Sequence, residues 1–182
     1  MSHDVSGQAY GLTVMTPIAA GHEHALADHL AALPRSAQSP FARLPATHLA
    51  RWVIVDGLAP MGPLRRRTQL RSHQLLFSST FDGDRDAYLD HACRTIPGEL
   101  DAIWSHCAGY PGPVAQAPGA FADYLRRHQL HTDMFFAPYG EHSVGQVRTA
   151  LDRARRLRDL AVATQGASPE QLLAAFREAF GA

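Results

Sequence analysis

Histidine is the residue type best placed to do chemistry in this chain, with eleven among 182 residues. Its imidazole titrates near neutral pH and also ligates metals. We predict that residues 100–112 form an apolar strand followed by a turn, a setting in which polar side chains often build sites. Alternation along that strand places Trp104 and His106 on one face and Cys107 on the other. An adjacent Cys–His nucleophile pair is therefore not expected, Cys107 is predicted to belong to the core, and His106 and Tyr110 are candidate catalytic residues.

A second candidate group lies on the strand predicted at residues 47–56. Strict alternation separates His48 from Arg51, and only a bulge, or a start of the regular strand after His48, would let the two converge. Arg51 shares its predicted face with apolar residues, where an unpaired cation is costly. Arg51 is thus a candidate for anion binding or for a structural ion pair with an aspartate of residues 82–86. His48 and Asp82 are candidate catalytic partners.

Two helical histidines are candidate ligands for a metal or cofactor. His128 follows Phe121, Tyr124 and Leu125 at spacings that place all four on one apolar face. This pattern is typical of an iron-ligating histidine, but an ordinary buried, hydrogen-bonded histidine shows it more often. His91 has a similar but weaker placement. The His-Glu-His sequence at residues 22–24 is predicted to lie exposed at the start of a helix.

The elements that position these residues are predicted from periodicity. Strands at residues 10–16, 47–56, 73–81 and at the start of residues 100–112 alternate with helices at residues 21–33 and 84–95. The order strand–helix–strand–strand–helix–strand predicts an α+β, ferredoxin-like split βαβ sheet. We expect residues 1–9 to be disordered, residues 10–110 to form the core and residues 111–120 to be a linker.

Residues 121–182 are predicted to be a mostly helical extension packed on that core. A short helix begins at Phe121, a brief apolar strand covers residues 134–137, and a long arginine-coated helix runs over residues 143–164. Ser168, Pro169 and Gln171 form a helix-start signal for the last helix. Tyr139, like Tyr110, lies in a Gly/Pro turn and could line a pocket or cap it.

Composition narrows the class of protein. A formal net charge of zero argues against nucleic acid or an anionic membrane as the main partner. All 17 basic residues are arginine, so Schiff-base catalysis by lysine is excluded. The two cysteines give no disulfide framework, and no apolar run is long enough for a signal sequence or membrane span. We expect a cytoplasmic protein that acts on a small molecule.

With this strand order and the Phe-Asp-Gly-Asp turn at residues 81–84, the chain resembles the dimeric α/β-barrel superfamily. The resemblance covers residues 10–110 and is architectural. It implies that the open sheet face is covered either by a second copy, in a homodimer, or by extra C-terminal elements. The haem-binding branch, the chlorite dismutases and dye-decolorising peroxidases, is similar in pairing a helical proximal histidine with a distal arginine. It implies haem b held by His128 or His91, with Arg51 on the distal side.

Three functions are therefore expected as alternatives. The first is a haem-dependent, peroxidase-like oxidoreductase, in which Arg51 works with His48 or Asp82. The second is a cofactor-free monooxygenase, isomerase or cyclase that uses His48, His106 or His73 as general base. Trp104 and Tyr110 would then line its cavity. The third is a non-enzymatic binding or scaffold dimer.

Overall fold

The computed structural model describes residues 3–58 and 68–181. The chain divides into a first compact unit that ends at Ser143 and a second that begins at Val144. Within the described ranges, no helix combines the length and the apolarity that a membrane crossing requires.

The first unit is built on an open antiparallel sheet. Its strands are β1 (Val5–Ser6), β2 (Ala9–Pro17), β3 (Thr47–Leu58), β4 (Thr68–Asp82) and β5 (Gln129–Leu130). The order is β1–β2–β4–β3, and β5 pairs with β2 on the same edge as β1. The long β3–β4 hairpin extends further than the alternating residues alone predict. The prediction of an α+β protein with an antiparallel sheet is confirmed.

Four helices cover one face of this sheet, which we name the inner face. They are α1 (Glu23–Ala32), α2 (Arg85–Thr95), α3 (Pro97–Trp104) and α4 (Pro118–Arg127). Aromatic rings connect the layers, since Trp104 makes edge contacts with Phe77 of β4 and Phe121 of α4. Asp84 caps α2 by accepting hydrogen bonds from the backbone amides of Asp86 and Ala87, at 2.8 and 3.0 Å.

The strand predicted at the start of residues 100–112 is wrong, because α3 occupies residues 97–104. Pro97 begins this helix instead of only ending the previous one, as its fixed φ suits the first helical turn. The buried residues Leu100, Ile103 and Trp104 have helical spacing. The chain then reaches the residue that follows β2, Ile18, with which Cys107 forms an isolated antiparallel bridge. The edge of β2 that faces away from β4 thus pairs with β1 and β5, and the bridge follows directly after the strand.

The N-terminal segment is also different from its prediction, because residues 3–9 are ordered. Val5–Ser6 pairs with β2, and Asp4 is 1% exposed. This short polar segment has no hydrophobic periodicity from which a strand could be predicted. Its order depends on hydrogen-bond partners about 125 residues away in the chain. Likewise α4 and β5, which we expected in a C-terminal extension, belong to the first unit.

The second unit is a pair of helices, α5 (Val144–Ala163) and α6 (Pro169–Phe180). The predicted helix-start signal is confirmed, because Ser168 and Gln171 form a reciprocal capping box. Apolar side chains from both helices line a cleft between them, namely Leu157, Leu160, Ala161, Pro169, Leu172, Leu173 and Phe176. None of the described residues that line this cleft is titratable.

Candidate functional site

A β-bulge in β3 decides where His48 lies. The register of β3 against β4 shifts between Thr47 and Leu49, so His48 is the extra residue. Thr47 bonds to a helix on the inner face, whereas His48 and Leu49 both line a groove on the opposite, outer face. The bulge therefore places His48 on the same face as Arg51, which strict alternation would have prevented.

His48 forms a dyad with Asp82, the last residue of β4. Its Nε2 atom lies 2.7 Å from Oδ1 of the carboxylate, and both side chains are mostly buried. An ionised carboxylate only accepts hydrogen bonds, so the neutral imidazole carries its proton on Nε2. The other ring nitrogen, Nδ1, then has a lone pair that can take a proton. Neighbouring strands of one sheet hold both partners, a rigid arrangement for a catalytic pair.

Buried hydroxyl groups support the bulge from the inner face. The Tyr88 hydroxyl of α2 lies 2.9 Å from Oγ1 of Thr47 and 3.3 Å from Oγ of Ser79. Ser79 donates a hydrogen bond of 3.1 Å to the carbonyl of Leu49. Burial raises the pKa of Tyr88, so its hydroxyl keeps its proton and can donate. The two residues next to His48 in the chain, Thr47 and Leu49, are therefore both held by hydrogen bonds.

The groove beside His48 has a volume of about 280 Å³ and a mostly apolar wall. Among the described residues that line it, only His48, Thr80 and Tyr139 carry polar side chains. The others are Ala9, Leu49, Phe135, Phe136, Ala137 and Pro138. Phe136 and Tyr139 are 70% and 67% exposed, which is unusual for aromatic residues outside a binding surface. Tyr139 thus lines a pocket, one of the two roles predicted for it.

Residues 131–141, here named the strap, carry the aromatic wall of the groove across the outer face. Their predicted strand at residues 134–137 is absent, and the segment is irregular. The ring of Phe135 lies against Gly11 of β2, where an added Cβ would be 3.0 Å from the ring. A glycine at this position therefore lets the strap approach the sheet closely.

The N-terminal segment fastens the strap at both ends. Asp4 Oδ1 accepts a hydrogen bond of 2.7 Å from the Thr132 amide, and Oδ2 lies 2.9 Å from Nδ1 of His131. Burial alone raises the pKa of Asp4, but the bonds from His131 and Thr132 outweigh it and lower that pKa below its usual range. At the other end, the Gln8 amide donates a 2.6 Å hydrogen bond to the Gly140 carbonyl.

Family and structure comparisons do not place this arrangement in a known group of proteins. No protein-family model, no curated protein and no solved structure matches the chain. The chemistry of the dyad and the groove must therefore be argued from their geometry alone.

Arg51 lies on the outer face but is exposed, and it does not line the groove. The prediction of buried neighbours fails because Leu49 and Val53 are 72% and 41% exposed. The core contacts of β3 come from the alternate residues Ala50 and Trp52. An arginine in this position is solvated and needs no ion partner.

His106 pairs with a different histidine at the opposite end of β2. Its Nδ1 atom lies 3.0 Å from Nδ1 of His22, and the two rings meet edge to face. One nitrogen must donate and the other accept. Burial and the nearby His22 and His29 lower the pKa of His106. This pair is remote from His48 along the sheet, so the structure does not bring the two candidate bases together.

The other predicted members of the residue 100–112 cluster have structural partners. Cys107 is 4% exposed and accepts a hydrogen bond from Oγ1 of Thr16, which confirms its place in the core. Burial raises the pKa of its thiol, which disfavours a nucleophilic thiolate. The Tyr110 hydroxyl donates to Asp101, and burial with that contact raises the pKa of Tyr110.

The residues predicted to hold haem do not assemble around one cofactor. His128 caps the C-terminus of α4 on the inner-face side, with Nδ1 2.9 Å from the Tyr124 carbonyl and its ring against the Tyr124 ring. Arg51 lies on the outer face of β3, two strands away from β2 and three from β5. His91 is exposed on α2. Because the sheet separates His128 from Arg51, these residues do not fit a proximal and distal haem pair.

A second pocket of about 320 Å³ lies beside α1 and is more open. Its lining combines Glu23, His24, Ala27, Ile54, Asp56 and His73. Within the described ranges, no group of three or more histidine, cysteine, aspartate or glutamate side chains could hold a metal ion. This pocket therefore has titratable groups but no assembled ligand set.

Sequence reasoning named His48 and Asp82 but missed the aromatic strap and its anchor. Phe135, Phe136 and Asp4 come from segments without regular periodicity. The exposed aromatic residues between Met134 and Tyr139 were a signal that an aromatic-rich turn lines a surface. Nothing in the sequence showed that Gly11 faces Phe135.

Proposed function

We propose that this protein is a cofactor-free enzyme that moves a proton on a small, apolar substrate, as an isomerase or cyclase does. The observation that carries the proposal is the His48–Asp82 dyad at the wall of an apolar groove. A histidine oriented by a carboxylate is a recurrent general base, because the carboxylate fixes the tautomer and stabilises the imidazolium.

In the proposed reaction Nδ1 of His48 removes a proton from a carbon or hydroxyl group of the substrate. Asp82 accepts the Nε2 hydrogen bond throughout and stabilises the positive charge that forms on the ring. The proton is then returned to another atom of the same substrate, so no external oxidant or reductant is consumed. Thr80 and Tyr139 offer hydroxyl groups to an oxygen atom of the substrate.

The lining of the groove supports an uncharged aromatic or alicyclic substrate. No arginine, aspartate or glutamate is among the described residues that line it, so a substrate charge would lack a direct partner. Exposed aromatic rings at Phe136 and Tyr139 offer stacking surfaces.

The strand order β5–β2–β4–β3 supports the finer proposal of a ferredoxin-like sheet, with β5 in the place of the last strand. In that arrangement the outer face of the sheet carries the groove. The homodimer remains a prediction. A haem-dependent reaction is not favoured, because His128 and Arg51 lie on opposite sides of the sheet.

The experiment uses 5-nitrobenzisoxazole, a small fused-ring probe that reports on a base in an apolar site. Removal of its ring proton breaks the N–O bond and releases a coloured nitrophenolate. We expect the protein to accelerate this reaction beyond an equal concentration of free imidazole. His48→Gln should lower the rate on the order of 100-fold, and Asp82→Asn should also lower it by disturbing the tautomer.

His24→Gln is the matched control, since it removes an exposed histidine that lies outside the groove and should leave the rate unchanged. Equal rates for the parent protein and His48→Gln would contradict the proposal. A loss on His106→Gln instead would assign the base to the His22–His106 pair. A rate that needs added haemin and His128 would favour the oxidoreductase.

A further inference from the structure

We infer that the contact between Gly11 and Phe135 sets the size of the substrate, limiting it to about two fused rings. This inference rests on the proposed function of the groove and identifies a pair of residues that would determine its specificity. Neither residue takes part in proton transfer.

The position of Phe135 follows from the register of the sheet. Gly11 of β2 is paired with Thr80 of β4, and Thr80 in turn is paired with Leu49 of β3. Thr80 and Leu49 line the groove, whereas Gly11 is buried under the Phe135 ring. Phe135 therefore forms the wall of the groove on the β2 side, next to Thr80.

Gly11 allows the ring to lie close to the sheet. Three ring atoms of Phe135 lie 3.0 to 3.3 Å from the place where a Cβ of residue 11 would be. Any larger residue at position 11 would push the ring outwards. Because the backbone of the strap is fastened by Asp4 and Gln8, the ring would move into the groove.

The volume of the groove agrees with a small ligand. An apolar cavity of roughly 150 Å³ holds a single benzene ring, and this groove has about 280 Å³. That space suits one or two fused rings, and we expect the Phe135 ring to block a third ring on the β2 side. Removing the Phe135 side chain would extend the groove towards β2.

The test compares 2-naphthol and 2-hydroxyanthracene, with two and three fused rings, as fluorescent probes. We expect the parent protein to bind 2-naphthol more tightly. Phe135→Ala should shift the ratio of the two dissociation constants about tenfold towards 2-hydroxyanthracene, the size of effect that small changes in an apolar pocket produce. Gly11→Ala should weaken binding of both probes.

Phe136→Ala is the matched control, because that ring also lines the groove but lies mostly in solvent. It should weaken both probes without shifting their ratio. An unchanged ratio in Phe135→Ala, with 2-naphthol still bound, would overturn the inference and leave the proposed function intact. Failure of the parent protein to bind either probe would also overturn it. The His48-dependent reaction of 5-nitrobenzisoxazole would then decide separately whether the proposed function survives.

Discussion

Nε2 of His48 lies 2.7 Å from Oδ1 of Asp82, and this contact exists because a bulge turns His48 towards the outer face of the sheet. In a regular strand His48 would face the helices and Asp82 would have no imidazole beside it. The geometry of the dyad therefore depends on the groups that stabilise the bulge.

Tyr88→Phe tests this dependence from the other side of the sheet. The variant keeps the ring that stacks on Phe81 but removes the hydroxyl that joins Thr47 to Ser79. We expect a loss of about 1 kcal/mol in the free energy of unfolding, because Thr47 and Ser79 each lose a hydrogen bond to the Tyr88 hydroxyl. The rate with 5-nitrobenzisoxazole should fall as well, since His48 loses its fixed position.

Urea unfolding and the probe reaction measure these two effects on the same samples. Full activity together with lower stability in this variant would show that Tyr88 stabilises the core but does not position His48. An unchanged free energy of unfolding would contradict the role of the hydroxyl.

Asp4→Asn tests the anchor of the strap. The carboxylate accepts bonds from the Thr132 amide and from His131, and its replacement should cost about 2 kcal/mol, as for hydrogen bonds to a charged group. Hydrogen exchange at the Thr132 amide should become faster than in Asp133→Asn, which changes an exposed carboxylate of the same strap.

The pH dependence of the Asp4 anchor has a defined sign. The pKa of Asp4 is lowered in the folded protein, so its contribution is present above the unfolded value near 3.8. It is lost as the pH falls through the lowered pKa. The difference in stability between the parent protein and Asp4→Asn should therefore shrink below pH 4, and a difference independent of pH would contradict the anchor.

The His22–His106 pair predicts a separate effect at milder pH. The pKa of His106 lies below its ordinary value of 6.5, because burial, His22 and His29 all disfavour its charged form. The unfolded chain then binds more protons than the folded one just below pH 6.5, so stability falls as the pH is lowered from 7.

His106→Gln should reduce this loss between pH 7 and pH 5, whereas His24→Gln should not. Thermal unfolding of the three proteins at each pH measures it. The same pH dependence in all three would show that other histidines are responsible.

Gly140→Ala tests how closely the strap approaches the N-terminal segment. An added Cβ would lie 2.5 Å from the carbonyl oxygen of Ser6, and backbone on that side has little freedom to move. We expect lower stability and weaker binding of 2-naphthol, measured by urea unfolding and ligand fluorescence. Gly119→Ala is the control, because a Cβ there meets nothing. Equal effects in both variants would contradict the close approach.

Local patterns predicted much of the first unit and part of the site. Alternation predicted β2 and β3, and the capping residues predicted the starts of α2 and α6. The segment at residues 97–104 was misread because Leu100, Ala102 and Trp104 also alternate, while the helical spacing of Leu100, Ile103 and Trp104 gives the buried face.

The rest of the site depends on contacts between distant segments. Whether β3 contains a bulge at His48 is decided by its pairing with β4 and by Tyr88 of α2, which no local pattern contains. The order of residues 3–8 depends on the strap, far along the chain. The apolar neighbours of Arg51 predict burial, but they lie in an edge strand, where Leu49 and Val53 are exposed.

The protonation of the His48 ring is the most direct test of the proposed general base. Long-range ¹H–¹⁵N NMR spectra distinguish the two neutral tautomers, and His48→Gln assigns the signals. We predict a proton on Nε2, a free lone pair on Nδ1, and a shift of the Nδ1 signal when 2-naphthol is added. A neutral ring with its proton on Nδ1, and no response to 2-naphthol, would contradict the account.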